Sequence, residues 1–186
     1  MTFKTIVTNI NKLRVRNKRM DAQQLLDDII KPTLEYMGGN YDSKNARMLM
    51  ISTAAIESKC GYYIKQIGGP AMGIWQMEPD TLHDIYDNCD AIATNHTEMY
   101  KILDSLDLFE ATNDYDLAQS LVISPMYACA MARLKYSMDP KPLPDCNNIR
   151  KVYDYYKRIY NTPLGASTYE KFKQSWLCHK LNEIVL

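Results

Sequence analysis

Glu57 is the residue of this chain best placed to do chemistry, because it ends a stretch that is otherwise almost apolar. The stretch runs Ala46-Arg47-Met48-Leu49-Met50-Ile51-Ser52-Thr53-Ala54-Ala55-Ile56-Glu57-Ser58, and eight of its thirteen residues are apolar. They cover nearly every face of a helix, which predicts a buried element. A carboxyl at its end is partly desolvated, and desolvation raises a carboxyl pKa. An acid that keeps its proton near neutral pH can protonate a leaving group. The dipole at a helix C-terminus disfavours negative charge, so helix stability alone does not account for an acid there. A second block follows, Gly68-Gly69-Pro70-Ala71-Met72-Gly73-Ile74-Trp75-Gln76-Met77-Glu78-Pro79-Asp80-Thr81. Its Gly-rich turn delivers an apolar and amide-bearing segment, and the Gln76 amide is both donor and acceptor.

Taken together, Glu57-Ser58 and Pro70-Ala71-Met72-Gly73-Ile74-Trp75-Gln76-Met77-Glu78-Pro79-Asp80-Thr81 resemble the catalytic core of the soluble lytic transglycosylase family, in the lysozyme-like superfamily. That family places Glu-Ser at a helix end and a Gly-Ala-x-Gly-Leu-x-Gln-x-x-Pro-x-Thr segment after a loop. Order, spacing and residue type agree in both blocks. Ser124–Tyr136 is similar to the helix behind that core, and Tyr160-Asn161-Thr162-Pro163-Leu164-Gly165 looks like a loosened form of the family's Tyr-Asn-x-Gly motif. The resemblance spans roughly residues 42–165.

It implies a catalytic role for Glu57 and substrate contacts for Ser58, Gln76, Tyr160 and Asn161, with Tyr160 over the glutamate. Met72 and Trp75 are wall candidates, and Trp75 suits stacking on a sugar face; as plain apolar residues both also suit a core. The implied substrate is the glycan strand of peptidoglycan, cut at the MurNAc–GlcNAc β-1,4 bond. Glycosidases commonly use two carboxylates, whereas this family manages with one. Glu57 then acts first as acid and afterwards as base on the muramic 6-hydroxyl, closing a 1,6-anhydro ring. Attack by water at the same site makes a lysozyme-type hydrolase. Asp80 and Asp84 lie on the next helix, and no spacing argument sets either opposite Glu57.

The elements that must position these groups read as almost entirely helical. Apolar spacing at Leu25, Leu26, Ile29, Ile30, Leu34 and Met37 predicts a helix over 20–37, bent or restarted by Pro32 and stopped by Gly38-Gly39. Asp42 or Ser43 caps the helix that runs to about Cys60. Residues 61–77 form a loop, Pro79 opens a helix to about Asp90, and another spans 94–105. Ser124-Pro125 splits the apolar segment 115–137, and helices follow at about 147–160 and 168–182. The expectation is an all-α, lysozyme-like fold of seven or eight helices. A basic segment and first helix (1–41) precede the core (42–165), and a C-terminal helix (166–186) packs on it.

At 186 residues, 46% hydrophobic and 24% charged, the chain is globular in composition and long enough to bury a core. No apolar run reaches membrane-spanning length. The N-terminal residues lack a secretory signal pattern, so delivery to the cell wall is expected by another route. The five cysteines, Cys60, Cys89, Cys129, Cys146 and Cys178, form no Cys-x-x-Cys pair and suggest neither zinc nor a disulfide framework. His83, His96 and His179 are isolated, so no metal and no cofactor are expected.

Net charge is zero but uneven: residues 1–20 carry six Lys/Arg and no acid, and 77–116 carry eleven acids against one Lys. Solvated helix faces explain this, as does docking in an assembly. The basic segment lacks the aromatic interleaving of a nucleic-acid site. A bacteriophage origin is expected, with the protein acting at the cell wall as a virion component held through its basic N-terminal segment. The rival expectation is a structural virion protein with a lysozyme-like fold and no activity.

Overall fold

The computed structural model describes residues 20–92, 97–107, 114–163 and 165–186. The basic segment 1–19, Thr94, His96 and Leu164 lie outside the described residues. Within them the architecture is all-α, with eight helices and no strand.

Helix α1 is continuous through three stretches, Ala22–Leu25, a π-helical turn Leu26–Ile30, and Lys31–Met37. Asp21 caps it by accepting from the Gln23 and Gln24 amides. Pro32 stands in the first turn of the α-helical stretch that resumes at Lys31. The wider turn just ahead, where the Lys31 amide reaches the Leu26 carbonyl, absorbs the ring and missing donor. Gly38, at φ +69°, ends the helix.

Helix α2, Lys44–Ser58, starts at Ser43, whose hydroxyl accepts from the Ala46 amide. Leu49, Met50, Ile51, Thr53 and Ala54 are all fully buried, so the helix has no solvent face through its middle. Lys59 and Cys60 both take left-handed φ of 55°, which ends α2 at Ser58 rather than Cys60. The loop 61–77 carries two antiparallel bridges, Lys65 with Met72 and Met72 with Met77. Helix α3, Pro79–Asn88, follows with proline in its first turn, and α4 is Glu98–Leu106. Thr97 caps α4 by accepting from the Tyr100 amide.

Ser124 divides α5, Asp114–Ile123, from α6, Pro125–Ser137, accepting from the Tyr127 amide while donating to the Leu106 carbonyl. Helix α7, Ile149–Tyr156, runs on into a π-helical turn, Lys157–Asn161. Helix α8, Tyr169–Cys178, stops short of residue 182.

Two buried helices, α2 and α6, organise the rest. Helix α6 meets α1, α2, α3, α4, α5 and the π turn after α7, and its Ala128, Ala130 and Ala132 admit close neighbours. Helix α2 meets α1, α6, α7 and α8. The hydroxyl of Ser175 on α8 donates to the Ala55 carbonyl at 2.8 Å, fixing the C-terminal helix to the core. A hydrophobic cluster therefore continues from Ala22 to Leu181. No helix among the described residues is long and apolar enough to cross a membrane.

Candidate active site

Glu57 is the penultimate residue of α2, and it opens into a cavity of about 530 Å³. Gln76 and Glu78 line the same cavity from the loop and the start of α3, Lys135 from α6, and Tyr156, Tyr160 and Asn161 from α7 and its π turn. Glu57 keeps part of its surface open to this space, but its carboxyl group is largely out of water. Burial pushes that carboxyl up to about 7. A hydrogen bond from the Tyr156 phenol to Glu57 Oε1, at 2.6 Å, acts in the opposite direction by favouring the carboxylate. The Tyr156 phenol is itself held well above its usual range, first by burial and then by the neighbouring carboxylate. It therefore donates and does not ionise.

The tyrosine over Glu57 is thus Tyr156, not Tyr160. The two stand on one face because they are four residues apart, and the π turn between them sets which one meets the acid. Tyr160 instead donates to the Trp75 carbonyl at 3.0 Å, and its ring stacks 5.3 Å from Tyr136 and 6.5 Å from Tyr156. It forms cavity wall and ties the π turn to the loop that carries Gln76. Asn161 also reaches the cavity, yet its side-chain oxygen is occupied, accepting from Lys157 Nζ at 2.7 Å and the Ser167 amide at 3.3 Å.

Gln76 sits at φ +48°, a left-handed conformation uncommon for a side-chain-bearing residue. Its amide nitrogen donates to the carbonyls of Gly73, at 2.8 Å, and Tyr63, at 3.4 Å, which leaves the amide oxygen as its cavity-facing acceptor. Gly73 is required nearby: its φ is +75°, and a Cβ there would lie 2.4 Å from the Leu121 carbonyl oxygen.

Three other expected contacts belong to the framework. Trp75 is 1% exposed and donates from Nε1 to the Met50 carbonyl at 3.0 Å, so the ring is core and not a sugar platform. Met72 does not line the cavity; its backbone carries the two loop bridges, and its sulfur accepts from Gln119. Ser58 is fully buried, its hydroxyl donating to the Ala54 carbonyl and accepting from the Gly61 amide, so it closes the end of α2. These residues place Glu57 and do not touch what it touches.

Sequence reasoning missed Tyr156, Glu78 and Ser167. The four-residue spacing to Tyr160 was the available signal for Tyr156. Glu78 is the exposed N-cap position of α3, where the helix dipole favours a carboxylate. Of the two acids weighed earlier, Asp80 is exposed and off the cavity wall, and Asp84 pairs with Lys135 at 2.8 Å. Among the described residues no three His, Cys, Asp or Glu side chains gather where they could hold a metal ion. Comparison of the chain with protein-family models, with curated proteins and with solved structures gave no match in any of the three.

Proposed function

We propose that this protein is a peptidoglycan lytic transglycosylase that cleaves the MurNAc–GlcNAc β-1,4 bond with Glu57 as its general acid. The observation that carries the reading is a carboxyl held near pKa 7 on the wall of a sugar-sized cavity, with a tyrosine hydroxyl on one of its oxygens. In the first step Glu57 passes its proton to the glycosidic oxygen as the bond from that oxygen to the muramic C1 breaks. The resulting carboxylate is held by the Tyr156 hydroxyl. It then takes the proton of the muramic 6-hydroxyl as that oxygen bonds to C1, so Glu57 ends protonated and the product is a 1,6-anhydro sugar. Gln76 offers its amide oxygen to a hydroxyl or N-acetyl N–H of the bound sugar.

One observation favours a second reading, hydrolysis of the same bond. Glu78 is a further carboxylate on the cavity wall, and two carboxyl groups facing one cavity are what a two-carboxylate glycosidase uses. The setting we infer is local opening of the cell wall by a bacteriophage. That part rests on the resemblance and on the basic N-terminal segment as an attachment arm.

Release of soluble fragments from purified cell-wall sacculi tests the reading. Wild type is expected to release them, and Glu57→Gln to release none while keeping its helical circular-dichroism spectrum. Sacculi left intact by wild type would leave a non-catalytic virion protein as the better account.

A further inference from the structure

We infer that Lys171 is a specificity-determining residue of the cavity, its ammonium group binding a carboxylate carried on the 3-O-lactyl arm of the muramic sugar. The inference rests on the peptidoglycan reading and adds the part of the substrate by which the cavity distinguishes it from an uncharged glycan.

Two lysines line the cavity, and their partners differ. Lys135, from α6, is already neutralised, with its Nζ 2.8 Å from Asp84 Oδ2. Lys171, in the first turn of α8, has no acid partner among the described residues; its Nζ donates to the Ala166 carbonyl at 3.1 Å. Lys157 reaches the same wall from the π turn after α7 and also bonds neutral oxygens, Asn161 Oδ1 at 2.7 Å and the Gly165 carbonyl at 2.6 Å. Glu170, the acid next to Lys171 in the chain, is exposed and off the cavity wall. This side of the cavity therefore carries positive charge that no ion pair among the described residues cancels.

Packing fixes where Lys171 stands. Its neighbour Phe172 is buried in the core. One turn on, the Ser175 hydroxyl donates to the Ala55 carbonyl at 2.8 Å, two residues before Glu57. Positions 171 and 175 share a face of α8, so the face that meets the end of α2 also brings Lys171 to the cavity that Glu57 opens into. A carboxylate can take up the ammonium hydrogens that the Ala166 carbonyl leaves free. The bond it makes is charge-assisted, and stronger than one to a neutral carbonyl.

The carboxylate Glu78 enters the cavity from another part of the fold. It begins α3, which packs on α5 and α6, whereas α8 packs on α2 and α7. A substrate with one anionic arm is attracted at Lys171 and repelled at Glu78, which holds it in one orientation. A strand of alternating GlcNAc and MurNAc has such an arm on every second sugar, because the muramic sugar alone carries a lactyl ether. In a bare strand the carboxylate is that of the lactyl group. In a strand with peptides the lactyl carbonyl is an amide, and the carboxylates are those of the peptide. Both offer Lys171 the same chemistry, and a chain of GlcNAc alone offers neither.

The test is isothermal titration calorimetry in a Glu57→Gln parent, which leaves the glycan uncut. The probes are chitotetraose, the peptide-free GlcNAc–MurNAc tetrasaccharide, and the same tetrasaccharide with peptide stems. Lys171→Met keeps the apolar stem and removes the charge. It is expected to weaken binding of the muramic probes about fivefold and to leave chitotetraose unchanged. Lys171→Arg, which keeps the charge, restores the affinity, and added salt narrows the gap between the parent and Lys171→Met. A loss with the peptide-free probe alone names the lactyl carboxylate as the partner. A loss with the peptide-bearing probe alone names a peptide carboxylate, and a loss with both shows that the lysine reaches either. Unchanged affinity for both muramic probes, or an equal loss with chitotetraose, overturns the inference. A parent that binds none of the three probes removes the proposed substrate and the inference with it. That result is distinct from a parent that binds all three whatever stands at position 171.

Discussion

Replacing Glu57 by Gln should stabilise the protein at alkaline pH and leave its stability almost unchanged in acid. The protonated carboxyl and the amide are close in shape, and either oxygen accepts from the Tyr156 hydroxyl. The difference lies in the charged form. An ordinary glutamate titrates at 4.5, whereas burial holds Glu57 up to about 7. Because the folded-state value is the higher one, the favourable contribution of Glu57 is fully present below pH 4.5. It is lost as pH rises through 7. The cost of ionising the buried group works out at about 3 kcal/mol above pH 8. The Gln variant avoids it.

Urea unfolding, followed by circular dichroism at pH 4.5, 6 and 8, reads this directly. With a slope of about 2 kcal/mol per molar urea, the variant's midpoint should exceed that of wild type by roughly 1.5 M at pH 8. At pH 4.5 the two midpoints should coincide. Equal midpoints at both pH values would mean that the Glu57 carboxyl is fully hydrated, and the argument for a neutral acid would fall. A less stable variant at pH 8 would mean that the carboxylate has a partner stronger than Tyr156.

Other perturbations separate the acid from its framework. Tyr156→Phe removes the bond that favours the carboxylate, so the Glu57 midpoint should move above 7 and the neutral limb of the pH–rate profile should follow it upward. A downward shift would refute the assigned role of the phenol. Trp75→Ala should cost about 3–5 kcal/mol, as a core aromatic does, readable as a lowered urea midpoint. Gly73→Ala forces a Cβ onto a backbone carbonyl at positive φ, and should cost about 2 kcal/mol or more while lowering cleavage through displacement of Gln76. Stability unchanged in that variant would show that the loop accommodates the methyl group.

The features legible in the sequence are those that local chemistry decides. Ser43, Ser124 and Pro79 mark helix starts because a hydroxyl acceptor or a missing amide has the same consequence wherever it occurs. Glu57 at the end of a largely apolar helix is legible because the pattern alone implies desolvation. The features that were not legible depend on partners distant in the chain. Trp75 reads equally well as sugar platform or core, and the Met50 carbonyl twenty-five residues earlier makes it core. Ser58 looks like a cleft residue by its place beside Glu57, yet a helix turns adjacent residues apart by about 100°, and the next side chain points into the core.

Tyr160 was misplaced by one turn, because π-helical turns arise from packing and leave no clear mark in residue type. Pro32 marks a change in the helix that the sequence does show, but the form it takes, a π-helical turn over Leu26–Ile30 ahead of the proline, leaves no mark in residue type. Glu78 reads as an ordinary helix-start residue, and only the closure of α3 against the loop brings it to the cavity.

Digestion of purified peptidoglycan in oxygen-18 water, with mass spectrometry of the released fragments, tests the central claim most directly. Wild type should release muropeptides ending in 1,6-anhydromuramic acid that carry no label, and Glu57→Gln should release none. Labelled reducing ends would assign the reaction to hydrolysis, with Glu78 as the water-activating base. No fragments from wild type, or the same fragments from Glu57→Gln, would contradict the assignment of Glu57 as the acid that cleaves the glycan.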